Sequence, residues 1–284
     1  MARAYRSVLY MPAANPRAME KAQQLPADAI IFDLEDAVAP AAKIAAREQL
    51  VAALEANDYG PRLLILRING LDTEWGSEDM RLCAGPLAGK IHAVLIPKVN
   101  GTADLDRVAE IIPDMPLWAM METPLGMLNA SDIATHPRLE GMVMGTNDLA
   151  KETGSRFRAD RLPMQAGLGL CLLAAKAHGR IILDGVFNAI QDEDGLRFEC
   201  EQGRDMGFDG KTLIHPAQLA IANDSFAPTA EEIDLARRQI EGFEQALTEG
   251  KAVAVVDGKI VENLHVETAR KTLDRAEAIA AMAG

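Results

Sequence analysis

Short apolar runs recur along this chain, each closing on polar or charged residues and each followed by a longer stretch of helical periodicity. Eight of these runs read as strands: Ser7–Met11, Ala29–Leu34, Leu63–Ile68, Ala93–Ile96, Leu117–Met121, Met142–Met144, Ile181–Val186 and Thr212–Ile214. The intervals carry helical patterns, as in Arg17–Leu25, Ala41–Ala56, Leu105–Ile112, Arg161–His178 and Asp194–Met206. Strict alternation, with no two strands in succession, predicts an α/β fold, a closed (β/α)8 TIM barrel whose site lies at the strands' C-terminal ends. A doubly wound open sheet is the competing architecture. Its Gly-rich turn is approached only by Gly167-Leu168-Gly169, which lies inside a helical pattern and not after a strand.

Beyond the eighth run the pattern changes. A long amphipathic helix over Ala230–Leu247 precedes a strand pair over Ala252–Ile260 around Asp257-Gly258, a dipeptide that favours a two-residue hairpin turn, and a helix over Val266–Met282 ends the chain. The expected organisation is therefore a barrel domain over residues 1–225 and a helix–hairpin–helix extension over residues 226–284.

If the barrel is right, the strand exits converge on one mouth. The second run ends in Asp33, Glu35 and Asp36, the third in Arg67 and Asn69, the fourth in Lys98, the fifth in Glu122, the sixth in Asn147 and Asp148, the seventh in Asp184 and Asn188, and the eighth in His215. Glu122 and Asp148 each stand before a helical interval, where a carboxylate can cap free amides as readily as bind a ligand. As a pair on neighbouring strand ends, with oxygen-rich neighbours and no thiolate or His-x-x-His spacing, they point to a hard cation of the Mg²⁺ type. Arg67, closing an apolar run, suits bidentate capture of a carboxylate. Lys98 and Lys211 offer the alternative of a metal-independent Schiff base, which needs an unprotonated amine. His215 fits a hydrogen-bonded strand end better than a base.

Composition narrows the partners. The 284 residues include 29 Lys and Arg against 42 Asp and Glu, a formal net charge of -13. That excess argues against nucleic acid and against an anionic membrane surface. Three widely separated cysteines, Cys83, Cys171 and Cys200, form no zinc-ligand or disulfide spacing. The N-terminal stretch lacks a signal-peptide core and no apolar run reaches the ~18 residues of a membrane span, so the expected location is the cytoplasm.

Five ordered motifs carry a resemblance to a known family: Ile31-Phe32-Asp33-Leu34-Glu35-Asp36-Ala37-Val38, Arg67-Ile68-Asn69-Gly70, Ile96-Pro97-Lys98-Val99, Glu122-Thr123-Pro124 and Gly210-Lys211-Thr212-Leu213-Ile214-His215-Pro216. Together they resemble the citrate lyase β-subunit family, which includes the malyl-CoA lyases, within the HpcH/HpaI aldolase superfamily. The segments Trp118–Glu122, Gly145–Ala150 and Cys200–Gly210 are most similar to the (3S)-malyl-CoA thioesterases in that family. The resemblance implies a barrel that works on a CoA thioester with Mg²⁺, or Mn²⁺ in its place, as a homotrimer or hexamer. It implies metal ligation by Glu122 and Asp148, substrate binding by Arg67 and Glu122, catalytic roles for Asp257, Arg67 and Asp36, and CoA contacts from Tyr10, Arg17 and Lys21. The Asp257 hairpin would serve a neighbouring subunit. Where the family shows Pro-Gly and a basic residue, this chain has Ala13 and Asn15. The reaction so implied is hydrolysis of (3S)-malyl-CoA to malate and CoA. The alternatives are carbon–carbon cleavage, giving acetyl- or propionyl-CoA plus glyoxylate or pyruvate, and a citrate lyase β-like subunit.

Overall fold

The computed structural model describes residues 3–282. Eight parallel strands, β1 (Ser7–Pro12), β2 (Ala29–Asp33), β3 (Leu63–Arg67), β4 (Ala93–Ile96), β5 (Leu117–Met121), β6 (Leu139–Met144), β7 (Ile181–Asp184) and β8 (Gly210–Leu213), close into a barrel in sequence order. β8 returns to β1 through the register Ser7↔Lys211 and Leu9↔Leu213. The (β/α)8 expectation is met.

The strand period of two sorts the side chains. Val8, Ala29, Ile31, Leu63, Ile65, Ala93, Leu95, Trp118, Met120, Val143 and Leu183 form one buried cluster inside the barrel. Their alternates, such as Ile30, Phe32, Leu66, Val94, Ile96, Ala119 and Met142, pack outward with the helices. Three inward series end in a charged residue: Ala29-Ile31-Asp33, Leu63-Ile65-Arg67 and Trp118-Met120-Glu122. The same alternation that fills the core thus delivers the mouth's chemistry.

Two strand starts differ from the expectation, and five strand ends shift by one or two residues. β6 starts three residues earlier, at Leu139. Its pairing with β5 shifts between Leu117↔Leu139 and Trp118↔Gly141, so Glu140 bulges out of register and accepts from Trp118 Nε1 at 2.8 Å. Gly141 is needed there: a Cβ would lie 2.7 Å from the Trp118 ring, which fills the barrel interior. β8 begins at Gly210 and includes Lys211, whose charge hid the strand in the sequence.

The helical intervals are mostly as expected, with refinements. The Leu117–Met144 interval holds two short helices, Pro124–Leu128 and Ala130–Thr135. The helix expected over Arg161–His178 runs from Gln165 to Ala177 after a 3-10 turn, because Arg161 itself adopts a left-handed backbone (φ +50°). A helix over Thr146–Thr153 starts directly at the exit of β6 and ends on left-handed Gly154.

Residues 5–226 form one compact unit; residues 3–4 and 227–282 form another. In the second, Thr229 and Glu232 cap the helix Ala230–Thr248 reciprocally. The hairpin β9 (Ala254–Val256) and β10 (Lys259–Val261) turns at Asp257 (φ +50°) and Gly258 (φ +75°). Phe243, Ala246, Ala254, Val261 and Val266 form its core. The helix Asn263–Met282 completes it. Among the described residues no helix is long and apolar enough to cross a membrane.

Candidate active site

The mouth holds a cavity of about 360 Å³ lined by residues that include Tyr10, Asp36, Arg67, Glu122, Gly145 and Asp148. Five of the residues marked out in the sequence therefore meet in one place. Arg17 and Lys21 stand exposed on the helix Pro16–Ala22 and are not among the residues that line this cavity. Asp257 belongs to the other compact unit, where its Oδ1 accepts from Arg238 Nη1 at 2.6 Å. That contact holds the Asp257 carboxyl below the usual range. Asn15, one of the departures from the family pattern, caps the helix Pro16–Ala22 by accepting from Ala18 N–H, and Ala13 is buried.

Arg67 is the centre of the charge network. Its Nε and Nη2 donate to the two oxygens of Asp33 at 2.8 and 2.6 Å, a bidentate pair across the β2–β3 register. Nη1 lies 2.8 Å from Glu35 Oε2 and 3.6 Å from Asp36 Oδ2. The guanidinium carbon sits 4.9 Å from the centroid of the Tyr10 ring. Burial alone would lower the Arg67 pKa, but Asp33, Tyr10 and Glu35 outweigh it and hold the cation fixed. Burial pushes the Tyr10 hydroxyl pKa up, and Tyr10 Oη meets Met120 Sδ at 3.3 Å. Asp33 is marked in the sequence only by its place at a strand exit, and its pairing with Arg67 follows from the β2–β3 register.

Glu122 is held from two sides. Its Oε1 accepts the Lys98 backbone N–H at 2.8 Å, and Lys98 aims that N–H from a left-handed conformation with φ +52°. On the other side a Cβ at Gly145 would lie 2.3 Å from Glu122 Cβ and 2.5 Å from Oε2. Only glycine admits that approach. Burial, reinforced by the charge of Glu35, pushes the Glu122 carboxyl up to about 7 against the Lys98 N–H and Arg67. Asp148 stands half-buried in the first turn of the helix that starts after Gly145.

The donor set fits a hard divalent cation with few protein ligands. Five carboxylates at the mouth, Asp33, Glu35, Asp36, Glu122 and Asp148, outnumber the cations beside them, Arg67, Lys98 and Lys43. Such an excess would repel an anionic substrate unless a cation entered. Among the described residues no group of three His, Cys, Asp or Glu side chains could hold a metal. Glu122 and Asp148 alone would therefore leave most positions to water and substrate oxygens, as Mg²⁺ prefers.

The Schiff-base alternatives fare differently. Lys98 Nζ lies 3.3 Å from Glu35 Oε1, and Glu35, Glu122 and Asp148 overcome the effect of its burial to raise its pKa. Lys211 is fully buried, its Nζ held by Asp184 Oδ2 at 3.1 Å and Glu199 Oε1 at 2.6 Å, with its pKa raised by those acids over the opposing burial. Both amines stay protonated, the wrong state for carbonyl attack. His215 Nδ1 accepts from Ala217 N–H at 3.2 Å and caps a turn, the structural role the sequence favoured.

A parallel (β/α)8 barrel with a carboxylate pair and a clamped arginine at its mouth has the architecture of a barrel enzyme. Comparison with known proteins then places the chain. The HpcH/HpaI aldolase/citrate lyase family matches residues 6–216, the greater part of the sequence, and the chain belongs to that family. It is 67% identical over 277 residues to a (3S)-malyl-CoA thioesterase of Cereibacter sphaeroides, covering 98% of this chain and 96% of that one. It is 35% identical to the citrate lyase subunit beta of Escherichia coli, covering 97% and 94%. Among solved structures, the protein CitE from Mycobacterium tuberculosis in complex with magnesium, acetoacetate and coenzyme A superimposes with a TM-score of 0.79 at 30% identity, over 97% of this chain and 99% of that one.

Proposed function

We propose that this protein is a Mg²⁺-dependent hydrolase that converts (3S)-malyl-CoA to malate and CoA. The observation that carries the reading is the meeting of Glu122, Asp148 and Arg67 in one cavity of a chain 67% identical to a (3S)-malyl-CoA thioesterase. Glu122 and Asp148 would hold Mg²⁺, or Mn²⁺. A bound cation supplies Lewis-acid polarisation of substrate oxygens. Arg67, fixed by Asp33 and Tyr10, orients the substrate's distal carboxylate. Asp36, whose side chain is largely exposed at the rim, is placed to position water or exchange a proton. Asp257 acts from a second copy of the chain, and Arg17 and Lys21 meet the phosphates of CoA beyond the cavity.

Residues 1–225 serve as the catalytic domain and residues 226–284 as the extension that completes a neighbour's site in a homotrimer or hexamer working in the cytoplasm. The 35% identity to a citrate lyase subunit beta supports a second reading, carbon–carbon cleavage of the same thioester. Incubation of pure protein with malyl-CoA and Mg²⁺ separates the two. Free CoA with malate is expected; acetyl-CoA with glyoxylate would make the protein a lyase, and absence of both would overturn the CoA reading. Mixing the inactive variants Asp257→Ala and Glu122→Ala should restore activity, and no recovery after proven subunit exchange would refute the shared site.

A further inference from the structure

Glu35 is the most awkward charge at the mouth. Its side chain is nearly buried, yet its Oε2 makes no directed hydrogen bond although Arg67 Nη1 lies 2.8 Å away. Its other oxygen reaches Lys98 Nζ only at 3.3 Å. Buried carboxylates are normally satisfied by well-aligned donors, because the loss of water costs more than a loose contact returns. The backbone here is anything but loose: Glu35 N–H donates to Asp33 Oδ1 at 2.8 Å, and buried Lys43 Nζ donates to the carbonyls of Leu34 and Glu35 at 2.7 and 2.6 Å. A rigid loop therefore presents a carboxylate with one unsatisfied oxygen between two cations. Arg67 spends Nε–H and one Nη2–H on Asp33, and both N–H groups of Nη1, the nitrogen beside Glu35, remain for a substrate.

We infer that Glu35 is an intramolecular competitor of the substrate that occupies, in the free protein, the place on Arg67 Nη1 taken by the distal carboxylate of the substrate. On binding, the substrate's carboxylate displaces Glu35, which turns to Lys98. No covalent bond or proton changes hands. The exchange weakens the binding of ligands with a distal carboxylate, which must displace Glu35, and leaves the binding of a ligand without one unchanged. This inference rests on the reading of Arg67 as the carboxylate partner.

The test is titration calorimetry of free malate into the full-length protein at saturating Mg²⁺. Glu35→Gln removes the competing charge, and malate should bind roughly tenfold more tightly. Acetyl-CoA, which lacks the distal carboxylate, should bind as it does to the wild type. Lys98→Met should weaken malate in the wild type but have little effect beside Glu35→Gln, because Lys98 acts by receiving Glu35. Glu35→Met gives the same sign and stands in where Glu35→Gln does not fold. Equal or weaker malate binding in the neutral variants would make Glu35 a fixed prop of Arg67 and overturn the inference. A wild type that binds no malate with Mg²⁺ present would overturn the carboxylate reading of Arg67 as well.

Discussion

Arg67 and Asp33 share two hydrogen bonds of 2.8 and 2.6 Å, both side chains buried, so the pair supports the fold whatever it does for a substrate. Removing one partner of such a pair leaves an uncompensated charge, at a cost of about 3–5 kcal/mol. Arg67→Met should therefore lower the thermal midpoint by roughly 10 °C for a chain of this size, measurable by calorimetry, in addition to abolishing turnover. Arg67→Lys should recover part of the stability and little of the activity, because an ammonium cannot span both oxygens of Asp33 while serving a substrate. Asp148 differs: it is half-buried and lies outside the Arg67 network. Asp148→Ala should leave the thermal midpoint within about 2 °C while Mg²⁺-dependent turnover falls by at least about 100-fold. Retained turnover would remove Asp148 from the metal site.

At the scale of elements, the strand exits of β5 and β6 approach so closely that glycine is required twice, for different reasons. Gly141 makes room for Trp118 inside the barrel, whereas Gly145 makes room for Glu122 at its mouth. Gly141→Ala should cost stability and leave divalent-cation affinity intact. Gly145→Ala should displace the Glu122 carboxylate and weaken Mg²⁺ binding by about tenfold or more, read by calorimetry. The eight strands were legible because each apolar run is short and ends in charge. The start of β6 was not, since Glu140 and Gly141 break the apolar run for the sake of a bulge and a tryptophan. The start of β8 was hidden by Lys211, a lysine neutralised by Asp184 and Glu199, which lie 27 and 12 residues away in sequence. At the site, the charged residues could be marked as strand exits. Their pairing could not, because the contact between Asp33 and Arg67 depends on the β2–β3 register, and the inward turn of Tyr10 depends on which parity of β1 faces the barrel.

For the molecule as a whole, the mouth's negative excess couples stability to pH and metal. Glu122 is raised from an ordinary value of 4.5 to about 7, so the folded chain holds a proton that the unfolded chain has released. Below pH 4.5 both states bind it and nothing is lost. As pH rises from 4.5 to 7 the folded state must either retain the proton or bear a buried charge, and its stability falls; above 7 the loss levels off. The Glu122 contribution is on the order of 3 kcal/mol, from 1.36 kcal/mol for each tenfold change in proton affinity. A divalent cation reverses the sign of that burden, because it binds the carboxylate that the fold otherwise disfavours. Metal-free protein should therefore melt at a lower temperature at pH 8 than at pH 6. Mg²⁺ at 100 times its dissociation constant should add about 2.7 kcal/mol at pH 8 and markedly less at pH 6, where the proton competes for Glu122. Calorimetric scans of wild type and Glu122→Gln at both pH values measure the coupling. The variant should lose both the pH slope between 6 and 8 and the Mg²⁺ effect, and a Mg²⁺ effect of equal size in the variant would place the cation away from Glu122.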